Sequence, residues 1–154
     1  MSPKSSGPPG LRARALGLLA RREHSRLELE RKLAPHAQSL EEIAILLDDL
    51  TRRGWLSEQR VIEQVVHARR GKFGSRRIQQ ELIDKGIDRE LVAAAMAQIK
   101  DGDIEAASTL WQKKFGGLPR NKTERARQIR FMQGRGFALE VILHIMRKGE
   151  HHNE

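Results

Sequence analysis

Five cations and no acid fall within the nine residues Arg69-Arg70-Gly71-Lys72-Phe73-Gly74-Ser75-Arg76-Arg77. A guanidinium offers its donors as a planar fork, so arginines grouped this way can grip a phosphate or carboxylate through two parallel bonds. The segment is expected at a turn between helices, where the start of the second helix adds unpaired N–H groups and a partial positive dipole. A second basic group follows at Lys113, Lys114, Arg120, Lys122, Arg125, Arg127 and Arg130, with Glu124 the one acid in that span, and Arg135 lies just beyond. The three-residue spacing puts Lys122 with Arg125, and Arg127 with Arg130, on shared helix faces. Like charges so placed cost a few tenths of a kcal/mol per pair, which an anionic partner would offset. These residues form the candidate binding set. The competing reading is that acids of the same chain, such as Glu63, Glu81 or Asp84, neutralise them.

Catalytic constellations are missing. Gly71-Lys72 lacks the upstream glycine and downstream hydroxyl of a phosphate-cradling loop. Gly134-Arg135-Gly136 has Leu139 where a dinucleotide fingerprint needs its third glycine, and no strand precedes it. Glu30-Arg31-Lys32 has a nuclease-like carboxylate and lysine but no partnering aspartate. Asp48-Asp49 reads as a solvated helix face, because adjacent helical residues diverge too far to share a metal. His24, His36, His67 and His144 are scattered without i, i+4 pairs, and His151-His152 falls in a polar tail. No catalytic residue, metal site or cofactor is expected. Trp55 and Trp111 read as core anchors rather than base-stacking platforms.

Composition agrees with a binding role. The chain of 154 residues carries a formal charge of +9, with 32% charged residues, 4% aromatics, no tyrosine and no cysteine. The imbalance grows along the chain: nine Lys/Arg against seven acids in Leu11–Leu56, the same in Ser57–Gly102, then ten against five in Asp103–Glu150. Such a charge favours polyanionic partners, chiefly nucleic acid or nucleoprotein. No apolar run approaches the eighteen or so residues that span a bilayer, so no membrane partner is expected. Lack of cysteine fits a reducing compartment, and the chain is expected to be cytoplasmic and monomeric.

The elements that must position these cations are helices, and nothing alternates with the period of a strand. A fold of three tandem three-helix repeats is expected: a disordered Pro/Gly/Ser-rich leader over 1–10, repeats over 11–56, 57–102 and 103–149, and a polar tail over 150–154. In the first repeat, Leu11, Ala15, Leu18 and Leu19 share a stripe. Ser25 with Glu28 and Ser39 with Glu42 have capping-box spacing. Leu29 and Leu33, then Leu40, Ile43, Leu47 and Leu50, face inward, and Gly54 stops the third helix. In the second, Ser57 caps a helix buried through Ile62, Val65 and Val66. Ile78 and Leu82 follow, with Gly86 as the stop, and Asp88 caps a helix whose core is Leu91, Ala94, Ala95 and Ile99. In the third, Ala107, Leu110, Trp111 and Phe115 precede a glycine loop. Asn121 with Glu124 caps the helix of Ile129 and Met132. Gly136-Phe137 punctuates as Gly86-Ile87 does, and Val141, Ile142, Ile145 and Met146 line a last helix closed by Gly149.

The run from Gly54 to Ile87, together with Arg130-Phe131-Met132 and Arg135-Gly136-Phe137, closely resembles the RecX family, regulators of the bacterial recombinase RecA. Arg22 to Leu33 is similar to the family's first repeat, so the likeness spans Leu11 to Gly149. Phe73 stands where a tyrosine is usual, Ser57-Glu58 where an aspartate pair is common, and Gly134 where a basic residue is frequent. The resemblance implies an all-α, elongated and curved body that binds the RecA–single-stranded-DNA filament. It implies inhibition of the recombinase, ATPase and co-protease activities in homologous recombination, DNA repair and the SOS response, with weaker affinity for single- or double-stranded DNA alone. The alternative is a basic DNA-binding protein of helix-turn-helix type, which would bind duplex DNA tightly and with sequence dependence.

Overall fold

The computed structural model describes residues 10–152; most of the expected leader and residues 153–154 of the expected tail lie outside that range. Among the described residues every regular element is helical: α1 Leu11–Arg21, α2 Arg26–Leu33, a 3-10 turn Ala34–His36, α3 Leu40–Arg52, α4 Glu58–Arg69, α5 Ser75–Asp84, α6 Arg89–Asp101, α7 Asp103–Phe115, α8 Lys122–Gly134 and α9 Leu139–His152. The chain divides into two compact units, residues 1–64 with 85–87 and residues 65–84 with 88–154.

The first unit is built on a leucine core of Ala15, Leu29, Leu33, Ile43, Leu47, Leu50 and Leu56. Burying each of its leucines and Ile43 contributes roughly 1.5–3 kcal/mol, enough collectively to order short helices that would fray alone. Local chemistry sets the helix starts. Ser25 Oγ accepts from the Glu28 N–H while Glu28 Oε1 accepts from the Ser25 N–H, a complete capping box. The same hydroxyl donates to the Lys85 carbonyl at 2.6 Å. Ser39 caps α3 through the Glu42 N–H, but the Glu42 carboxylate reaches the Gln38 N–H instead of closing the box on Ser39.

Two sequence expectations fail here for steric reasons. Leu40 is 80% exposed rather than inward. Helical side chains lean toward the N-terminus, and a residue in the first turn has no earlier turn of its own helix to cover. Trp55 is 44% exposed, not a core anchor. Gly54 adopts φ +78°, and both the Trp55 and Leu56 N–H groups return to the Leu50 carbonyl. That reversal sends Leu56 into the core and Trp55 outward, between the guanidinium groups of Arg12 and Arg53 at 5.6 and 5.4 Å from its ring.

In the second unit α5 and α6 pack together, with Ile78 and Leu82 buried on one and Val92, Met96 and Ile99 on the other. The α6 stripe is therefore turned from the expected one: Ala94 is exposed and Leu91 half-buried. The longer side chains at i, i+4 and i+7 remove more apolar area from water than the alanines would. Asp88 occupies the start of α6 without a side-chain cap bond. Helices α7, α8 and α9 enclose Ala107, Trp111, Met132, Phe137, Ile142, Ile145 and Met146. Here Trp111 is a true anchor, and its indole N–H donates to Gln128 Oε1 at 2.8 Å. Gly149 does not close α9, which continues through it to His152. A Cβ at Gly149 would sit 3.2 Å from the Trp111 ring, so the glycine serves close helix approach rather than termination.

Candidate polyanion-binding surface

All the candidate cations belong to the second unit, and a single loop brings the two groups together. The α8–α9 turn, Arg135-Gly136-Phe137, lies against the start of α5. The Gly74 N–H donates to the Arg135 carbonyl at 2.7 Å, and the Arg76 N–H donates to the Gly136 carbonyl at 3.1 Å. Gly136 has φ +94°, and a Cβ there would stand 2.6 Å from the Arg77 backbone nitrogen, so no other residue fits without moving the chain. Phe137, fully buried, pins the loop from beneath.

This docking corrects one expectation. The N-terminus of α5 is not free to receive an anion, because the protein itself fills it. The Ser75 N–H donates to Asp103 Oδ1 at 3.1 Å, the Arg76 N–H to Gly136, and the Arg77 N–H to Gly74. Asp103, the first residue of α7, is buried and also accepts from Ser75 Oγ at 2.5 Å and Arg70 Nη1 at 2.8 Å. No motif in the sequence points to this aspartate, whose one signal is an acid directly after glycine at a helix start.

The candidates now separate by what holds them. Arg70 is engaged inside the protein by Asp103 and the Ile99 carbonyl. Arg69 forks onto Glu81, whose carboxylate raises the guanidinium pKa, so the self-neutralising reading holds for this residue. Lys72, Arg76, Arg77, Lys113, Lys114, Arg120, Lys122, Arg125, Arg127, Arg130 and Arg135 make no ion pair among the described residues. In the first unit Arg12, Arg22, Arg26, Arg52, Arg53, Arg60 and Lys85 are bridged to carboxylates, while Arg14, Arg21, Arg31 and Lys32 make no ion pair among the described residues. Surface pairs contribute little stability, but they remove charge from the outward field. Most of the cations left unpaired belong to the second unit.

Aromatic rings order part of it. Arg77 lies 4.8 Å from the Phe73 ring and Arg135 5.4 Å from the same ring. Arg135 is also 5.0 Å from Phe131, and Lys114 Nζ is 5.1 Å from Phe131. Phe115 meets Phe131 edge-on at 5.4 Å. Cation and ring therefore alternate from Arg77 through Phe73, Arg135 and Phe131 to Lys114. Each such pairing is worth about 0.5–1 kcal/mol at an exposed site. Beyond Lys114 a cavity of about 480 Å³ opens between the end of α7 and the start of α8, lined by Lys114, Arg120 and Arg127 with Phe115, Leu118 and Glu124. Elsewhere Arg125 Nη1 donates to the Met146 sulfur at 3.8 Å, and Lys122 and Arg130 stand exposed on α8.

No group of three or more His, Cys, Asp or Glu among the described residues is placed to hold a metal ion. No described helix is long and apolar enough to cross a membrane.

Family models for the second and third three-helix domains of RecX match residues 57–96 and 101–146. The chain is 46% identical over 139 residues to the regulatory protein RecX of Ralstonia pickettii, covering 90% of this chain and 87% of that one. It is 42% identical to the regulatory protein RecX of Pseudomonas syringae over 88% of each chain. The crystal structure of RecX from Lactobacillus salivarius superposes with a TM-score of 0.79 at 19% identity, over 91% of this chain and 94% of that one, a likeness of fold.

Proposed function

The chain belongs to the RecX family of regulatory proteins, and from that premise we propose that it modulates the recombinase RecA by binding the RecA–single-stranded-DNA filament. The observation that carries this reading is the run of cations from Lys113 to Arg135, none of which forms an ion pair among the described residues, in the same unit where Arg69 and Arg70 are held by Glu81 and Asp103. A surface that keeps its positive charge uncompensated accelerates encounter with an anionic nucleoprotein and sets its orientation. Repeats over 11–56, 57–102 and 103–149 supply modest contacts that add, because engagement of one raises the local concentration of the next. Bound across neighbouring subunits, a monomer hinders their rearrangement and further addition. ATPase, strand-exchange and co-protease activities fall together, without any bond being made by the chain itself. The setting is the bacterial cytoplasm, during recombinational repair and the SOS response.

The test is a RecA ATPase time course with this protein added after filament assembly. Inhibition is expected, and Arg127→Glu with Arg130→Glu is expected to weaken it while leaving helical content intact. A wild-type chain that leaves the ATPase rate unchanged at saturating concentration would sink the reading. Direct titration adds a second check: free DNA should be bound more weakly than the preformed filament, and without sequence preference.

A further inference from the structure

Resting on that reading, the alternation of cations and rings on the second unit identifies which component of the filament this face meets. We propose that a single-stranded nucleic acid runs along Arg77, Phe73, Arg135, Phe131 and Lys114, and that one of its backbone phosphates seats in the adjoining cavity between Lys114, Arg120 and Arg127.

Three features favour a strand over an acidic protein surface. First, the interleaving is that of a stacking platform. A guanidinium held over a phenyl ring is a flat, apolar-faced cation on which a base can stack, while its edge donors reach a phosphate. Arg135 is held by two rings at once, Phe73 and Phe131, and needs no carboxylate to fix it. An acidic peptide offers carboxylates but no planar faces, and would leave the rings unused.

Second, successive cations are closely and regularly linked. Arg77 and Arg135 share the Phe73 ring at 4.8 and 5.4 Å, and Arg135 and Lys114 share Phe131 at 5.0 and 5.1 Å. Each neighbouring pair therefore lies within about 10 Å through its common ring, close enough for consecutive cations to serve nearby phosphates of one flexible strand.

Third, the cavity holds three cationic side chains against one carboxylate, and that carboxylate is already engaged. Glu124 Oε2 accepts from the Arg120 N–H at 2.8 Å, while its N–H donates to the capping Asn121. Neither Lys114, Arg120 nor Arg127 forms an ion pair among the described residues. Lys114 belongs to both features, so the cavity is the natural end of the track.

The experiment is fluorescence anisotropy of the full chain with a labelled oligothymidylate across a range of salt concentrations. Neutralising Arg120 and Arg127 together (R120Q/R127Q) leaves the seated phosphate without its two guanidinium partners. The plot of log affinity against log salt should become shallower by about 0.7 for each phosphate no longer neutralised. Arg135→Gln should weaken binding roughly five-fold or more, since it removes both a stacking face and a charge. Arg69→Gln, at a cation spent on Glu81, should leave the affinity within about two-fold of wild type, the scatter expected for a residue outside the track. Polyglutamate should compete poorly at equal charge.

The proposal is overturned if R120Q/R127Q and R135Q keep wild-type affinity and salt slope, or if polyglutamate displaces the strand as readily as unlabelled oligothymidylate. It is equally overturned if Arg69→Gln weakens binding as much as Arg135→Gln. RecA ATPase inhibition, measured on the same variants, judges the regulatory reading separately. Strand binding that needs the track in a chain without inhibitory power would sink that reading and leave this one standing.

Discussion

Replacing Asp103 by alanine tests the internal bonding of the second unit most severely. The aspartate side chain is 4% exposed and accepts from three donors: Arg70 Nη1, the Ser75 N–H and Ser75 Oγ. Its removal strands a guanidinium that is only 22% exposed, and leaves a backbone N–H at the start of α5 without a partner. Deleting one member of a buried pair costs about 3–5 kcal/mol; Arg70 keeps the Ile99 carbonyl and some access to water, which favours the lower end. The unpaired N–H adds about 1 kcal/mol or more. A total near 4 kcal/mol corresponds to a fall in Tm of roughly 8–16 °C for a chain of this size. Asp103→Asn can still accept from Ser75 and should cost less than half as much. Urea denaturation followed by far-UV circular dichroism provides the measurement, with Arg70→Met and the double variant completing a cycle. Coupling of about 1 kcal/mol or more is expected, because the second substitution removes a charge the first left stranded. Should Asp103→Ala cost under about 1 kcal/mol, or the two changes prove additive, the buried bridge is not what joins α4, α5 and α7. Arg70 would then return to the set of cations available to a partner.

Gly136→Ala must force a side chain into positive φ and against the Arg77 backbone at 2.6 Å, so a loss of about 3 kcal/mol or more is expected, together with weakened strand binding as Arg135 shifts; wild-type stability by thermal melting would show that the α8–α9 turn is not clamped. Burial pushes the Glu28 carboxyl up, but the Arg22 hydrogen bond, the Ser25 N–H and Lys85 together hold it at about 2, below the ordinary 4.5. A depressed carboxyl stabilises the fold above its ordinary value, so on the order of 3 kcal/mol is lost as pH falls from about 4.5 toward 2, and Glu28→Gln should flatten that limb of the stability–pH curve. Burial lowers the pKa of His24, against a backbone hydrogen bond to Arg22 that raises it; the unfolded chain therefore takes up its proton first, and destabilisation should begin as pH drops below 6.5. Trp55→Ala should cost under about 1 kcal/mol and Trp111→Ala about 3–5 kcal/mol; in Trp111→Phe the remaining emission should be readily quenched by acrylamide, and protected emission would place Trp55 inside.

Where a feature depends on residues near one another in the chain, it is legible without coordinates. Ser25 with Glu28, the apolar spacing of Ile43, Leu47 and Leu50, and the reversals at Gly54 and Gly136 all act within a turn or two of helix, so residue type and spacing suffice. The all-α architecture and the sequence positions of both cation groups follow from such local rules. Other properties depend on distances between residues far apart along the chain. Arg70 and Arg76 are equivalent as letters, yet Asp103 captures one and leaves the other exposed. Trp55 follows the turn after α3 and Trp111 lies within α7, yet residue type alone does not say that only Trp111 finds a core closed by neighbouring helices and a partner for its N–H. Phe73 and Phe131, far apart in sequence, become supports for one arginine because the α8–α9 turn docks on α5. Ion pairing and burial are through-space energies that fall away within a few ångströms, so only the folded chain decides which charges are spent inside and which are left for a partner.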